Sequence, residues 1–405
     1  MIQGVFRVLP PVGGMIPHRA VLGSLEVAMG RAGGAQDLSR QFADWTGLTH
    51  WVLTNSGRSA LSVVLMGLRK RHPDRDEVVI PAYTSYSVPA AVVRAGLRVR
   101  LCDVETETLG LSPKELERVL TARTLCVVPN HLFGVPCRIQ ALCGIARDRG
   151  VPVVEDAAQA MGVKCLGRPI GAFGDAAIFS LSRGKTLPAA GGGLIGTNDE
   201  ALAGCCRLVL ADIQPAFGRT PQLGLRSALE TALMAMFIRP SLYWLPASLP
   251  FLKLGASIYD PTFPVRPMSG FQEALGARLL PGLKELRNVR QANAGRLRQA
   301  LEEIQGLYVI WPQEGDEGGF LRLSVLVRDA TVRRRTLAEL ERRGLGATCG
   351  YPLPLSEVPE LRPHIGNLED SFPVAKLVSR QCVTLPTHPW VSERDIERIV
   401  EVFRL

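Results

Sequence analysis

The sequence predicts an α/β fold in which a mainly parallel sheet forms a large domain and a smaller α+β domain follows it. Between residues 50 and 200, short Val, Ile and Leu runs alternate with helical stretches of roughly 10–15 residues. Continuous apolar runs are typical of strands that helices cover on both faces. The chain has 405 residues, which is too long for one simple core and favours two domains.

The predicted strands can be followed in order along the large domain. They are HWVLT (50–54), EVVIPAY (77–83), RVRLCDV (98–104), TLCVVPN (124–130), VPVVED (151–156), AAIFSLS (176–182) and GGLIGTN (192–198). Helical stretches such as SALSVVLMGLRK and SPKELERVLTAR separate them. Ligands of such sheets bind at the carboxyl ends of the strands, so the residues that follow each run are candidates for chemistry.

A region with a different pattern begins near residue 263. A helical pattern starts at about residue 270, and strand-like runs follow at LYVIW (307–311), FLRLSVLV (320–327) and CVTLP (382–386). We therefore expect a large α/β domain over residues 15–262 and a small α+β domain over residues 263–405.

An apolar, proline-rich insertion is expected within the large domain, over residues 205–262. Its centre, TALMAMFIRPSLYWLPASLPFLKLG (231–255), is interrupted by Arg239 and several prolines. It therefore lacks the run of about 20 apolar residues that a transmembrane helix needs. Three interpretations remain open: a cover for the core or a dimer interface, a segment that contacts a membrane surface through residues 227–256, and a substrate lid.

Composition argues against several functional classes. The net charge is +9, but the arginines are scattered, so nucleic-acid binding is not expected. Nine cysteines without a Cys-x-x-Cys pair, and an N-terminus without a visible secretory signal, predict reduced thiols and a cytoplasmic location. His131 follows a strand and His388 lies between prolines, but the six histidines lack metal-ligand spacing, so no metal site is expected.

Asp156 and Lys185 are the leading candidates for catalysis. Asp156 directly follows an apolar strand, where a carboxylate can pair with a ring nitrogen and keep it protonated. Lys185 follows the next strand in a turn preceded by Gly184, and a lysine removed from water or placed beside a cation such as Arg183 can form an imine. Each residue alone has a simpler interpretation, a helix cap or a solvated lysine, but the combination favours chemistry.

Ser56, Gly57 and Arg58 form a candidate anion site. They open a predicted helix directly after the strand HWVLT, and a helix N-terminus attracts anions. The simpler alternative is a serine cap followed by a glycine that the turn geometry requires.

The chain resembles the DegT/DnrJ/EryC1/StrS family of pyridoxal-phosphate sugar aminotransferases, which have fold type I. The resemblance runs from about residue 20 to residue 405 apart from the insertion. Its ordered motifs are TNSGRSAL (54–61), VVIPAYTSYSVPAAVVRAG (78–96), VVPNHLFGVP (127–136), VEDAAQA (154–160), GDAAIFSLSRGKTL (174–187) and LPTHPWVSE (385–393). It implies a PLP-dependent transferase with a mainly parallel, seven-stranded sheet.

The resemblance also implies roles for individual residues. Lys185 would hold pyridoxal 5'-phosphate as an aldimine and move the proton between substrate and cofactor carbons. Asp156 would pair with the pyridine nitrogen, Gln159 would lie near the ring hydroxyl, and Ser180 would contact the cofactor, at its phosphate. Ser56, Gly57 and Arg58 would occupy the phosphate-binding turn.

The chain departs from the family near the expected cofactor ring. Arg58 replaces the usual threonine of the phosphate turn, and an arginine can bind a phosphate through two hydrogen bonds. Ser85 stands where the family commonly has a stacking aromatic residue, with Tyr83 and Tyr86 on either side. Either tyrosine is a candidate for stacking on the ring.

Further departures lie at positions that the family uses toward substrate or the partner subunit. Met161 replaces a histidine, and Ser356 stands where the family often has another. Val265 takes the position of an asparagine that reaches the partner's cofactor phosphate, and Arg266 is displaced by one residue. These changes bear on the substrate more than on the cofactor.

The resemblance implies a ping-pong aminotransferase that acts as a homodimer. An amino acid, typically glutamate in the family, would donate the amino group, and a keto-sugar carried on a nucleotide would accept it. Lys185 argues against the family's dehydratases, in which histidine replaces this lysine. Two alternatives are an aminotransferase for a lipid-linked or other amphiphilic carbonyl compound, which the apolar insertion would engage, and a noncatalytic sensor that retains the fold.

Overall fold

Twelve strands lie within residues 7–31, 37–213, 221–249 and 258–405, which are the residues that the computed structural model describes. The strands are β1 (His50–Thr54), β2 (Glu77–Pro81), β3 (Arg98–Cys102), β4 (Thr124–Val127), β5 (Val154–Asp156), β6 (Lys164–Cys165), β7 (Arg168–Pro169), β8 (Ala176–Ser180), β9 (Gly193–Thr197), β10 (Leu307–Val309), β11 (Leu323–Val327) and β12 (Cys382–Leu385).

Fourteen α-helices accompany these strands in the same described ranges. They are α1 (His18–Ala28), α2 (Leu38–Thr46), α3 (Gly57–Arg71), α4 (Ser87–Arg94), α5 (Pro113–Val119), α6 (Ile139–Asp148), α7 (Glu200–Ile213), α8 (Pro221–Phe237), α9 (Pro240–Ala247), α10 (Gly270–Leu279), α11 (Leu283–Leu301), α12 (Ala330–Arg342), α13 (Pro373–Gln381) and α14 (Glu393–Arg404).

Seven strands form one sheet in the order β3, β2, β4, β5, β8, β9, β1. Strand β2 pairs in parallel with β3 and β4, and β5 pairs in parallel with β8. Parallel bridges at Val127–Val153 and Asn130–Asp156 join β4 to β5. Strand β9 is antiparallel to both β8 and β1, so it alone runs against the other six. The structure confirms the mainly parallel α/β sheet.

Helices cover both faces of this sheet, so its central strands are buried along their whole length. Every residue of β2, β4, β5, β8 and β9 is buried. Side chains alternate between the faces of a strand, so Val78 and Ile80 pack in one core cluster and Val79 packs in the other. Helices α3, α4 and α7 contribute to the first cluster, and α2, α5, α6 and α10 contribute to the second.

A second, antiparallel sheet forms from β10, β11 and β12, with helices α11, α12 and α14 in its core. The chain's N-terminal segment packs there too: the fully buried Arg290 donates to the Gly13 carbonyl (2.6 Å) and to the Leu321 carbonyl (3.1 Å). His388 lies in this core, 2.8 Å from the Pro10 carbonyl oxygen, and burial lowers its pKa to about 3. His388 is therefore a structural residue. The domain boundary near residue 263 stays a prediction.

The described ranges have three features that bear on the expected class of protein. They contain no helix with the length and apolar character needed to cross a membrane. The nine cysteines are all unpaired there. No group of three or more His, Cys, Asp and Glu side chains within these ranges has a metal-binding arrangement.

Aromatic side chains from α2, β1 and β8 pack together beneath the sheet. Phe42 is fully buried, and its ring centroid lies 5.3 Å from those of both Trp51 and Phe179 and 5.7 Å from that of Trp45. Tilted and edge-to-face pairs of this kind stabilise a core beyond the area they bury. The cluster fixes the position of β8, which leads to Lys185.

Phe42→Ala should therefore lower the free energy of unfolding by about 3–5 kcal/mol, because it leaves a cavity in this cluster. Urea denaturation followed by circular dichroism measures the change. The control, Leu377→Ala, truncates a side chain that is 41% exposed and should cost no more than about 0.5 kcal/mol. Equal effects of the two substitutions would contradict the assignment of Phe42 to a tightly packed core.

Candidate active site

A cavity of about 410 Å³ lies at the edge of the sheet where β1, β5 and β8 end. Strands β5 and β8 are parallel neighbours and β1 has the same direction, so their carboxyl ends meet at this edge. Eight of the nine predicted site residues line it: Ser56, Gly57, Arg58, Tyr86, Asp156, Gln159, Ser180 and Lys185. The ninth, Tyr83, lies outside the lining.

Asp156 and Lys185 form the charged centre of the cavity. Asp156 ends β5, and the neighbouring strand β8 leads into the loop that carries Lys185. Burial raises the pKa of the Asp156 carboxyl, although the Lys185 charge and the Ala158 N–H donated to Oδ1 (3.1 Å) oppose this shift. Burial lowers the pKa of the Lys185 amine, which Asp156 opposes. Desolvation thus outweighs the mutual attraction and favours the neutral form of each group.

The start of helix α3 forms one wall of the cavity. Ser56 caps the helix by accepting the Ser59 N–H (3.3 Å), and Gly57 is the first helical residue. A Cβ atom at Gly57 would lie 2.7 Å from the Ser180 Cβ, so the close approach of α3 to β8 requires glycine. The first N–H groups of a helix lack partners within it and carry partial positive charge. This wall therefore has the chemistry of an anion site.

Arg58 adds a cation beside the helix start. Its Nη1 lies 3.6 Å from an Asp260 carboxylate oxygen, and its guanidinium lies 4.5 Å from the centroid of the Phe263 ring. Burial lowers the pKa of Arg58, and the Asp260 charge opposes this shift. A guanidinium nevertheless remains protonated at neutral pH, so Arg58 brings a full positive charge to this wall.

Gln159 presents its amide with a defined orientation. The Phe133 N–H donates to its Oε1 (3.0 Å), and its Nε2 donates to the Tyr351 hydroxyl (3.3 Å). A backbone N–H can only donate, so the Phe133 contact assigns the oxygen of the amide to that side. The amino group of Gln159 therefore faces Tyr351 and can donate to an oxygen in the cavity.

The two tyrosines that follow β2 have different surroundings. Tyr86 lines the cavity, with Ser85 beside it. Tyr83 is fully buried, and its hydroxyl accepts the Tyr351 N–H (3.1 Å). Of the two candidates for stacking on a cofactor ring, Tyr86 is the one whose position fits.

Tyr351 and Ser182 are residues near the site that sequence reasoning missed. The Tyr351 ring stacks with that of Tyr86 at a centroid distance of 6.2 Å and with that of Phe133 at 5.8 Å. Ser182 lines the cavity, with its hydroxyl 3.1 Å from that of Ser180. The alternating Ser180 and Ser182 were visible as a continuation of β8, but Tyr351 lies in a distant loop where no periodicity points to the cavity.

Two departures from the family, Arg58 and Ser85, line the cavity, whereas Met161, Val265 and Ser356 are buried outside its lining. Met161 and Val265 are 1% and 2% exposed and belong to the two core clusters of the sheet. Ser356 is also buried. The backbone of Arg266 pairs with Asn55 at the end of β1, through its N–H to Asn55 Oδ1 (3.1 Å) and its carbonyl to Asn55 N–H (2.9 Å).

His131 has a structural environment although it lies near Asp156. Its ring is wholly buried, with Nε2 3.3 Å from the Glu155 carboxylate. Glu155 also accepts the N–H groups of Gly171 (2.9 Å) and Gly174 (2.7 Å). This network holds the backbone that leads into β8.

Two relatives and one solved structure illustrate what the chain is similar to. It is 28% identical to the spore coat polysaccharide biosynthesis protein SpsC of Bacillus subtilis, over 91% of this chain and 88% of that protein. It is 27% identical to the GDP-perosamine synthase of Caulobacter vibrioides, over 90% of this chain and 87% of that one. DesI, solved in the presence of its TDP-sugar product, aligns with a TM-score of 0.77 at 24% identity, over 99% and 93% of the two chains.

The structural likeness shows the fold, and the sequence shows the family. DesI and PseC, an aminotransferase of Helicobacter pylori, share the arrangement that places this chain in fold type I. The model of the DegT/DnrJ/EryC1/StrS aminotransferase family matches residues 18–220 and 263–404, which leaves residues 221–262 outside the match. The chain therefore belongs to the DegT/DnrJ/EryC1/StrS aminotransferase family and is an aminotransferase.

Proposed function

We propose that this aminotransferase uses pyridoxal 5'-phosphate to move an amino group from glutamate to a keto-sugar carried on a nucleotide. The observation that carries the proposal is that the buried Asp156 and the half-buried Lys185 line one cavity with the start of α3. A GDP-perosamine synthase among its relatives and the TDP-sugar bound by DesI support a nucleotide-sugar acceptor.

The residues of the cavity fit this cofactor. The start of α3, Arg58 and the hydroxyls of Ser56 and Ser180 would hold a phosphate. Asp156 would face the ring nitrogen, and the Gln159 amino group would donate to the ring oxygen. When bound, pyridoxal phosphate supplies an electron sink for breaking a bond at the substrate's amine-bearing carbon.

The Asp156 carboxylate would hold a proton on the ring nitrogen at the base of the cavity. Its Oδ1 accepts the Ala158 N–H, which leaves Oδ2 to pair with a basic nitrogen. Because burial raises the pKa of this carboxyl, the anion is more basic than a solvated aspartate and forms a stronger charge-assisted hydrogen bond. Asp156 can thus keep a ring nitrogen protonated.

Lys185 moves the reacting proton. Burial lowers the pKa of its amine, so Nζ is uncharged at a lower pH than in a solvated lysine. The free amine is the form that attacks a carbonyl carbon and that removes a proton from a neighbouring carbon. The same Nζ can then return the proton to the carbon on the other side of the transferred nitrogen.

Tyr86 is our choice for the aromatic contact to the ring, because it lines the cavity and Tyr83 does not. Its own ring is held by stacking on Tyr351 at 29° between the ring planes.

We also propose that the protein is a homodimer in the cytoplasm. The unpaired state of its cysteines supports a reducing compartment.

The charge coupling between Asp156 and Lys185 predicts a pH effect on the cofactor-free protein. The Asp156 anion raises the pKa of Lys185 against the effect of burial, so Asp156→Asn should lower that pKa further. Reductive methylation with formaldehyde labels only uncharged amines. Peptide mass spectrometry across a pH series should place the labelling midpoint of Lys185 at a lower pH in the variant. The exposed Lys114 is the control and should be labelled to the same extent in the wild type and the variant; an unchanged or higher midpoint for Lys185 would contradict the coupling.

The proposed reaction predicts a half-reaction that depends on Lys185. The protein loaded with pyridoxal phosphate should lose its visible absorption when glutamate is added and should release one equivalent of 2-oxoglutarate. Lys185→Ala should do neither, because it lacks the amine that moves the proton. Borohydride reduction should attach the cofactor to the Lys185 peptide of the wild type. Release of 2-oxoglutarate by Lys185→Ala at the wild-type rate would refute the assignment.

Arg58 should bind the cofactor phosphate. Arg58→Ala should weaken pyridoxal phosphate binding about 10- to 100-fold, the effect of losing a hydrogen bond to a charged group, and should leave the affinity for phosphate-free pyridoxal nearly unchanged. Fluorescence titration of the cofactor-free protein measures both constants. The matched control, Asp260→Asn, removes the partner of Arg58 but keeps the cation, so it should retain the affinity. Equal losses for the two ligands in Arg58→Ala would place Arg58 away from the phosphate.

A further inference from the structure

Helix α8 has an unusual distribution of side chains for the surface of a protein. The stripe that packs against the body consists of the small residues Ala228, Thr231 and Ala235, which are at most 7% exposed. The stripe that faces away consists of Leu225, Leu229, Leu233 and Met236, whose exposures are 61%, 61%, 45% and 40%. Their spacing of three and four residues places them on one face. A helix that faced only water would have the opposite arrangement.

Helix α9 extends this apolar surface. Leu242, Trp244 and Leu245 of α9, and Leu249 just after it, are each between 37% and 40% exposed, and α9 directly follows α8 and packs against it. We call the exposed side chains of α8 and α9 the apolar face. Both helices lie in residues 221–262, outside the match to the family model.

Positive charges border the apolar face. Arg226 and Arg239 are exposed on α8 and at the start of α9, and Arg19 is exposed on α1, against which α8 packs. Glu230, the acidic residue of α8, is already paired with Arg226 (3.0 Å) and Arg183 (3.5 Å). Glu26 is also exposed on α1, so Arg19, Arg183, Arg226 and Arg239 outnumber the acidic side chains here, and the chain as a whole has a net charge of +9.

We propose that the apolar face docks on the surface of a lipid bilayer that contains anionic headgroups. Outward leucines, an exposed tryptophan and flanking arginines are the combination that binds helices in the interface plane of such a membrane. The arginines attract the headgroups and the leucines enter the boundary of the acyl chains. The face would bind whether or not the cavity carries out the proposed reaction.

Vesicle flotation tests the proposal with the full-length protein. The wild type should float with vesicles of phosphatidylcholine mixed with phosphatidylglycerol, should bind those of phosphatidylcholine alone much less, and should be released as salt rises. The triple variant Leu225→Gln, Leu229→Gln, Leu233→Gln keeps the charge and should lower the partition coefficient on the order of a hundredfold, because buried leucines provide much of the affinity.

A matched control shows whether the effect is specific to this face. Leu377→Gln with Tyr308→Gln replaces side chains that are 41% and 50% exposed elsewhere, and it should bind vesicles like the wild type. Circular dichroism and pyridoxal phosphate titration should be unchanged in all variants, which separates loss of docking from misfolding.

Several results would overturn the proposal. They are equal flotation of the wild type with neutral and anionic vesicles, undiminished flotation of the triple variant, and no flotation of the wild type at all. If the wild type does not float and the triple variant has a smaller mass by light scattering, the apolar face is instead an interface between two copies of the chain.

Discussion

The removal of Asp156 and Lys185 from water is the constraint on which the rest of the site depends. The free energy lost when both charges leave water is larger than the free energy gained from their attraction. The pKa of the Asp156 carboxyl therefore rises and that of the Lys185 amine falls. Such a pair is a poor way to stabilise a fold, but each member gains a property that solvated side chains lack. The amine loses its proton easily and the carboxylate becomes a strong acceptor. A fold that has to hold them needs a rigid frame, and the parallel pairing of β5 with β8 supplies it.

Buried polar contacts fix that frame around the pair. Glu155 lies next to Asp156 on β5, and its carboxylate receives the N–H groups of Gly171 and Gly174 and the ring nitrogen of His131. These bonds join β5 to the loop that begins β8. On the other side, the lack of a side chain at Gly57 lets α3 touch Ser180. The same packing that brings the helix start to the end of β8 therefore forms the wall that we propose binds the cofactor phosphate.

How far the sequence could predict this arrangement depended on the kind of element that carries each residue. Asp156 and Ser180 end strands that the apolar runs make visible, and the sheet rule then places them at one edge. Tyr83 and Tyr86 both follow β2, where the chain leaves the strand and the alternation of its faces no longer decides which ring reaches the cavity. Tyr351 comes from a loop 192 residues after Gln159, and only tertiary packing brings the two side chains together. Contacts between residues far apart in the sequence could therefore not be predicted from the local pattern of apolar residues.

The insertion contacts the site through Ile258, which lines the cavity, and through two exposed ion pairs, Arg58 with Asp260 and Arg183 with Glu230. Exposed pairs of this kind contribute about 0–1 kcal/mol each, which is too little to transmit a large change of shape from α8 to Lys185. Docking of the apolar face would therefore act on the reaction chiefly through position. It would hold the cavity near a membrane and raise the concentration of any acceptor that resides there, while the chemistry at Asp156 and Lys185 stays the same.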